Sequence, residues 1–179
     1  RLVERKGVHL LLDALATLAP ERPVILRVVG DGPERPRLQE QAARLGLGGR
    51  VVFQGFVSQD ELKARIAACD CFVLPAVVDA KGDTEGLGVV LLEAMTYGKP
   101  VIASAAGGIV DIVRDEQNGY LVPPGDAGAL AGAIRVCVEN PERARALGAQ
   151  GRLDVEKGFS WPVIAEKLKT LYESVSSHR

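Results

Sequence analysis

The 179-residue sequence lacks the features that mark several classes of protein. No apolar run approaches the roughly 20 residues needed to span a bilayer as a helix. Basic and acidic residues number 22 and 23, which gives a formal net charge of −1. Because a nucleic-acid-binding surface usually has an excess of basic residues, we predict no nucleic-acid partner.

Cysteine is also sparse. The gap between Cys69 and Cys71 is one residue, whereas structural zinc sites usually space their paired cysteines by two or more. With Cys137 the set is odd, and we predict that all three pack in the core as small hydrophobic side chains. Free thiols suit a reducing compartment. No metal-ligand cluster is visible, and we predict no metal site.

Histidine and tryptophan supply few candidates for chemistry. His9 falls inside the first helical pattern, where we expect it to pack or to face solvent. His178 lies in the C-terminal tail, where chain ends are usually frayed. Trp161 is expected to anchor the last helix rather than to stack on a base.

The chain instead alternates short apolar runs with helix-forming segments. Apolar residues make up 47% and charged residues 25%, as is ordinary for a soluble globular domain. Strands are predicted at 24–29, 51–53, 71–74, 101–103 and 120–122, and helices at 7–19, 34–46, 58–68, 87–97, 109–113, 126–139, from 141, and from 160 to 174. This alternation predicts an α/β fold, with a Rossmann-like parallel sheet flanked by helices and a single domain over residues 1–179.

The most informative stretch runs from Glu85 to Glu93. Gly86 and Gly88 let the backbone approach a ligand closely, and the helix that follows offers free N–H groups to a phosphate. Glu93, expected about two turns along that helix, can accept two hydroxyl hydrogen bonds from a sugar diol. The pattern predicts a site for a ligand with phosphate and sugar hydroxyls. A structural alternative is that Glu85 only complements the helix dipole.

Other loops follow predicted strands and belong to the same edge of the sheet. They are the segments 30–33, 55–57, 75–85 and 104–108. In a parallel sheet, ligands bind at the carboxyl ends of the strands. We therefore expect these loops to gather around the start of the helix at 87–97.

Taken together, these segments resemble the C-terminal, nucleotide-sugar-binding domain of a GT-B-type retaining glycosyltransferase, similar to family 4. The sequence from Arg1 to Gly7 (RLVERKG) resembles the entry to that domain, and VGDGP at 29–33 resembles its post-strand loop. Glu85 and Glu93 match the Glu-x7-Glu signature, which is followed here by the matching AM-x-x-G-x-P at 94–100. SAAGG at 104–108 and NGYLV at 118–122 complete the pattern.

The resemblance implies a role for each matching position in donor binding. Glu93 would hold the ribose hydroxyls of the nucleotide. Arg1 and Lys6, with backbone N–H groups near Val89 and Val90, would hold the diphosphate.

The transferred sugar and the base have their own implied contacts. Glu85 and the backbone of Gly86, Leu87 and Gly88 would contact the sugar, and Val57 would meet the base through its backbone. Glu85, Lys6 and Arg1 are the implied catalytic residues. Glu85 is expected to bind sugar, and we do not assign it as a nucleophile or a base.

The resemblance also implies partners and location. The donor would be a UDP-, GDP- or ADP-sugar, with no further cofactor required. The acceptor, a sugar, a lipid-linked sugar or a glycan, would bind mainly to an N-terminal domain, which we expect this chain to lack because it begins at Arg1 without a Met. A cytoplasmic location is implied, with the missing half able to bring the protein to the inner membrane face. We expect the fragment alone to transfer little or no sugar.

Two other hypotheses stay open from the sequence. One is a nucleotide-binding or interaction domain with no transferase role. The other is half of a sugar-nucleotide epimerase, whose signature fits the Glu-x7-Glu pattern less well.

Overall fold

The computed structural model describes residues 1–18 and 24–176, and His178 lies outside them. The strands are β1 (Leu26–Val29), β2 (Val51–Gly55), β3 (Phe72–Leu74), β4 (Val101–Ser104) and β5 (Tyr120–Val122). The helices are α1 (Val8–Thr17), α2 (Arg35–Arg44), α3 (Gln59–Ala68), α4 (Val89–Thr96), α5 (Ala127–Glu139), α6 (Pro141–Gly158) and α7 (Trp161–Ser176). Short 3-10 helices span Glu4–Lys6 and Gly107–Asp111. The predicted α/β class is confirmed.

All strand pairs are parallel, but they form two pieces of sheet rather than one. β1 pairs with β2, with Leu26 opposite Val51. The second piece has the order β3-β4-β5, with Val73 opposite Ile102. Within the described residues no strand joins β1 to β3, so the prediction of a single sheet differs from the structure at this point.

Helices cover both faces of the strands, which is why the strands read as continuous apolar runs. On one face, α1, α2 and α5 pack against side chains of both sheet pieces, including Val28, Ile102 and Tyr120. On the other face, α4 packs against Val101. Val101 is next to Ile102 in β4 and points to the opposite side of the strand. Full burial of such a side chain stabilises the fold by about 1.5–3 kcal/mol.

Local sequence signals set several helix starts. Ser58 begins α3 with a capping box: its hydroxyl accepts from the Glu61 N–H at 3.2 Å, and the Glu61 carboxylate accepts from the Ser58 N–H at 3.0 Å. Asp126 caps α5 by accepting from the Ala129 N–H at 2.8 Å. The sequence predicted helices that begin at 58 and 126, and in the structure each of these residues is the cap of its helix.

The helix of the Glu85–Glu93 stretch is shorter than predicted. It begins at Val89 rather than at 87, because Gly88 has φ +73°, a left-handed conformation that cannot continue into the helix. Glu93 is therefore about one turn into α4, not two. The prediction of its position along the helix was wrong by one turn.

The predicted anchoring role of Trp161 is also wrong. Its side chain is 83% exposed at the start of α7. Leu171 and Tyr172 on the same helix are exposed too, so α7 presents apolar side chains to solvent along its length. Helical periodicity identified the helix but not the depth at which it packs.

The three cysteines are free thiols. Cys137 is buried in the core, as predicted, while Cys69 and Cys71 are half-buried. A hydrogen bond with Cys137 and burial both raise the pKa of the Cys71 thiol. Burial likewise raises the pKa of Cys69. None of the described helices is long and apolar enough to cross a membrane.

Candidate donor-binding site

An ion pair between Lys6 and Glu85 joins two segments 79 residues apart in sequence. The Lys6 ammonium donates to the Glu85 carboxylate Oε2. The side chains are 25% and 15% exposed, so each charge is largely withdrawn from water and still open on one side. The sequence predicted both residues for the site, and the structure brings them into direct contact.

Backbone packing against the loop after β3 fixes the segment that carries Lys6. The Val77 N–H donates to the Arg5 carbonyl at 3.0 Å. Gly7 has φ +65°, and a Cβ at this position would overlap the Pro75 carbonyl oxygen. Only glycine allows this approach, so Gly7 sets where Lys6 meets the post-β3 loop.

The loop from Glu85 to Leu87 packs backbone to backbone on the 3-10 helix after β4. The Gly108 N–H donates to the Gly86 carbonyl at 2.7 Å. A Cβ on Gly108 would lie 2.8 Å from that oxygen, and one on Gly107 would overlap the Glu85 carbonyl oxygen. The loops after β3 and β4 therefore meet at the carboxyl edge, as predicted.

The start of α4 is open to a ligand. No side chain caps it, and the first N–H groups of any helix lack intrahelical acceptors. Val89 is 53% exposed and Leu87 45%, whereas Gly88 is buried, with the Ile109 side chain 3.1 Å from where its Cβ would be. Val90 is half-buried. The helix dipole places partial positive charge at this end, beside the Glu85 loop.

Glu93 lies on the exposed side of α4. Within the part of the chain that the structure describes, its carboxylate has no hydrogen-bond or ion-pair partner. Leu91, Ala94 and Met95 bury the opposite side of the helix. The carboxylate is therefore free to accept hydrogen bonds from an incoming ligand.

Arg1 lies at a different loop from Lys6. Its backbone nitrogen would be 3.8 Å from a Cβ on Gly30, and the Leu2 N–H donates to the Asp31 carbonyl at 2.9 Å. The Arg1 side chain is exposed. The structure thus places Arg1 beside the loop after β1, and within the described residues no hydrogen bond or ion pair joins it to Glu85.

Asp31 stabilises the loop in which it lies. It accepts from the Gly32 N–H at 2.7 Å and pairs with Arg35. The Gly32 hydrogen bond and the Arg35 pair hold the pKa of the Asp31 carboxyl below its usual value.

Val57 lies two residues after the end of β2 and is half-buried, one residue before the cap of α3. Its neighbour Phe56 is 78% exposed. The position is at the carboxyl end of β2, as expected, but no hydrogen bond joins it to Lys6 or Glu85 within the described residues.

The family model for glycosyl transferases group 1 matches residues 1–154. The chain belongs to the group 1 glycosyltransferases.

Curated relatives agree with this assignment. The GDP-mannose-dependent alpha-(1-6)-phosphatidylinositol monomannoside mannosyltransferase of Mycolicibacterium smegmatis is 37% identical over 173 residues, 96% of this chain and 45% of the relative. The putative colanic acid biosynthesis glycosyltransferase WcaL of Escherichia coli is 33% identical, over 98% of this chain and 44% of that protein. The chain thus spans less than half the length of these relatives.

Solved structures show the same fold. The Anabaena protein HepE in complex with UDP superposes with a TM-score of 0.84 at 34% identity, covering 99% of this chain and 47% of HepE. The C-terminal domain of the group 1 glycosyltransferase LpcC from Francisella tularensis matches with a TM-score of 0.79 at 25% identity, covering 90% of this chain and 83% of that domain. The chain therefore matches the C-terminal half of GT-B glycosyltransferases.

In this group 1 glycosyltransferase chain, a hydrogen-bond network around Asn118 was not predicted from the sequence. Asn118, 1% exposed, accepts from the Arg114 N–H at 2.7 Å and donates to the Ile112 carbonyl and to Asp154. Burial raises the pKa of Asp154, but hydrogen bonds from Asn118, Arg114 and Gln150 outweigh it and leave the pKa lowered. The Asn-Gly turn was visible in sequence. Asp154 was not, because it is 36 residues away.

The glycosyltransferase chain also has a surface cleft away from the Lys6–Glu85 pair. It has a volume of about 340 Å³ and lies between α1 and α2, with His9, Asp13 and Gln41 in its lining. The Gln41 amide donates to the His9 carbonyl and to Asp13, which ties α2 to α1 inside the cleft. Among the residues described, no cluster of three or more His, Cys, Asp or Glu side chains could hold a metal ion.

Proposed function

We propose that this chain is the donor-binding domain of a retaining glycosyltransferase and that its site is built around the Lys6–Glu85 pair. The observation that carries the proposal is the position of that pair at the uncapped start of α4. A cation, a carboxylate and free helix N–H groups together suit a diphosphate joined to a sugar.

The diphosphate would be held electrostatically. Lys6 contributes a point charge and Arg1 a planar fork, while the N–H groups of Val89 and Val90 contribute the helix end. These groups would also stabilise the negative charge that develops on the diphosphate as it leaves. Because fixed cations supply that charge, the proposal requires no metal.

The sugar, ribose and base would each have a separate contact. Glu85 and the backbone from Gly86 to Gly88 would bind the transferred sugar. The unpartnered Glu93 carboxylate would accept the ribose hydroxyls. Val57 would meet the base through its backbone.

The donor class follows from the nucleotide-sugar site, and relatives support it. One relative is named as GDP-mannose-dependent, and HepE has been solved with UDP-glucose. For this chain we propose a UDP-, GDP- or ADP-sugar. The acceptor, a sugar, a lipid-linked sugar or a glycan, would bind to the remainder of the full-length protein, which would work in the cytoplasm or at the inner membrane face.

Calorimetric titration with UDP, GDP, ADP and their sugar nucleotides tests donor binding. Glu93→Ala should weaken nucleotide binding by roughly 1.5–3 kcal/mol, the range for hydrogen bonds to a charged group. Glu166→Ala is the matched control, because Glu166 is an exposed helical glutamate on α7. Equal affinities for both variants and the parent chain would remove Glu93 from the ribose site.

Sugar transfer is tested by comparing the chain with the full-length protein. We expect the full-length protein to transfer sugar with retention at the anomeric carbon, and the 179 residues alone to bind donor and transfer little or none. Efficient transfer to a defined acceptor by the chain alone would place the acceptor site here and refute the division of labour.

A further inference from the structure

Two of the three cysteines point into the same part of the core. Cys71 directly precedes β3, and Cys137 lies in the last turn of α5. Side chains alternate along an extended segment, so Cys71 and Val73 pack with the cluster of α1, α2 and α5, whereas Phe72 packs on the side of α4. Cys137 belongs to the first of these clusters. The Cys71 side chain therefore points toward α5.

The thiols of Cys71 and Cys137 are in direct contact. A side-chain hydrogen bond joins them, and each thiol is the other's partner in that bond. A disulfide requires the two sulfur atoms to move from this contact to a covalent distance of about 2.05 Å. The pair therefore begins close to the arrangement that a disulfide needs.

The third cysteine is held differently. The Cys69 thiol donates to the Ile66 carbonyl at 3.2 Å, which turns it back onto the end of α3. Its sulfur also bonds to backbone N–H groups, including that of Cys71. Among the described residues, no side-chain hydrogen bond joins the Cys69 thiol to that of Cys71 or Cys137. Cys69 therefore serves as a matched control two residues from the pair.

The pair lies under a thin part of the surface. Cys71 is half-buried, and Cys137 is 8% exposed. Val136 and Val138, which flank Cys137, are 36% and 43% exposed, so the end of α5 lies at the surface. Helix ends open locally at a low free-energy cost. A small oxidant can therefore reach these sulfur atoms, although a protein-sized one cannot.

The hydrogen bond also favours one of the two sulfurs as the nucleophile. The thiolate, not the thiol, is the form that attacks. The bond with Cys71 lowers the pKa of the Cys137 thiol, and burial opposes this only in part. The same bond, together with burial, raises the pKa of Cys71. Cys137 is therefore the first sulfur to react, and Cys71 is the thiol that follows.

We propose that Cys71 and Cys137 form a reversible disulfide when the chain meets a peroxide, and that this bond links the start of β3 to α5. The Cys137 thiolate attacks one peroxide oxygen: an S–O bond forms, the O–O bond breaks, and the departing hydroxide takes up the proton that Cys137 had lost. The Cys71 thiol then attacks the Cys137 sulfur. The S–S bond forms, the S–O bond breaks, and the hydroxide leaves as water with the Cys71 proton. Two thiols are oxidised, one peroxide is reduced to two waters, and a dithiol reductant restores both thiols.

The disulfide would lie at the other end of the strands from the donor site. Cys71 is at the amino end of β3, whereas the loop that carries Glu85 follows the carboxyl end. The chain between the two cysteines includes β3, α4, β4 and β5, so the bond closes a long loop and constrains the unfolded chain. We therefore expect it to raise stability and to leave nucleotide affinity unchanged. The proposal does not depend on donor binding.

Oxidation of the chain with a modest excess of hydrogen peroxide tests the proposal. Peptide mapping by mass spectrometry without reduction identifies the residues that are joined, and thermal melts measure the effect on stability. Cys71→Ala and Cys137→Ala each remove one partner, and Cys69→Ala is the control. Circular dichroism shows whether each variant is folded. The map of the parent chain decides the pairing even if a variant does not fold.

We expect the parent chain and Cys69→Ala to form a cross-link between Cys71 and Cys137 that dithiothreitol reverses. The other two variants should form no cross-link within the chain. The cross-linked chain should melt roughly 5–15 °C higher than the reduced chain.

Four outcomes would overturn the proposal. They are a cross-link through Cys69, a cross-link only between chains, sulfinic and sulfonic acids without a cross-link, and three free thiols after a treatment that oxidises glutathione in the same sample. A cross-linked chain that melts no higher than the reduced one would overturn the stabilising role of the bond.

Discussion

Gly108→Ala tests whether contact with the helix after β4 positions the Glu85 loop. A Cβ on Gly108 would lie 2.8 Å from the Gly86 carbonyl oxygen, 0.6 Å less than the 3.4 Å at which ordinary contact begins. The same oxygen accepts the Gly108 N–H at 2.7 Å. The two backbones must therefore move apart by about 0.6 Å, which also stretches that hydrogen bond.

The displacement should affect both stability and sugar binding. Overpacking of this size costs about 1–3 kcal/mol, which for a chain of this length lowers the melting temperature by roughly 3–10 °C. A hydrogen bond that a sugar hydroxyl donates to the Glu85 carboxylate, lengthened by about 0.6 Å, leaves the normal range. The quantity to measure is the ratio of the affinity for a sugar nucleotide to the affinity for the matching nucleoside diphosphate. This ratio should fall by roughly tenfold, equivalent to about 1.4 kcal/mol.

Gly86→Ala is the matched control for stability. It lies on the other side of the same contact, and a Cβ there would meet no atom within 4 Å. Thermal melts and calorimetry with the tightest-binding nucleotide and its sugar derivative give both quantities. If Gly108→Ala melts like the parent chain and keeps the full gain from the sugar, then the contact does not position Glu85.

Three other perturbations have defined outcomes. Lys6→Ala should make nucleotide binding less sensitive to salt in titrations at several ionic strengths, because the positive charge that Lys6 would place on the diphosphate is lost. If the dependence of affinity on ionic strength is unchanged, Lys6 is not in the phosphate site. Asp154 has a lowered pKa in the folded chain, so its contribution is present above its unfolded pKa and is lost as pH falls through the folded value. Denaturant titrations should therefore show Asp154→Asn less stable than the parent at pH 7, with the gap closing below about pH 4; a gap independent of pH would contradict the shift. Ser58→Ala should cost about 1 kcal/mol in the same assay through loss of the α3 cap, and an unchanged free energy of unfolding would contradict a stabilising role for that cap.

The sequence determined the features that depend on local chemistry. Short apolar runs alternating with amphipathic segments specify parallel strands covered by helices, because each strand buries both faces. Ser58 and Asp126 specified helix starts, since capping requires only a side chain and an N–H two or three residues away. The Glu85–Glu93 spacing indicated the family, and the family model confirms it.

The tertiary structure decided the features that depend on contacts between residues distant in sequence. Nothing local shows that Lys6 pairs with Glu85, that Gly108 holds the Gly86 carbonyl, or that Asp154 supports the turn at Asn118. Such contacts arise from the order of the parallel strands, which brings loops far apart in the chain to the carboxyl edge of the sheet.

The interruption of the sheet is another feature that only the tertiary structure decided. Strand pairing is a relation between segments, so a pattern along one segment identifies a strand but not its neighbours. Only the assembled structure shows that, among the residues it describes, β1 and β3 each have an edge with no strand paired to it, and that both strands pack on the same layer of helices.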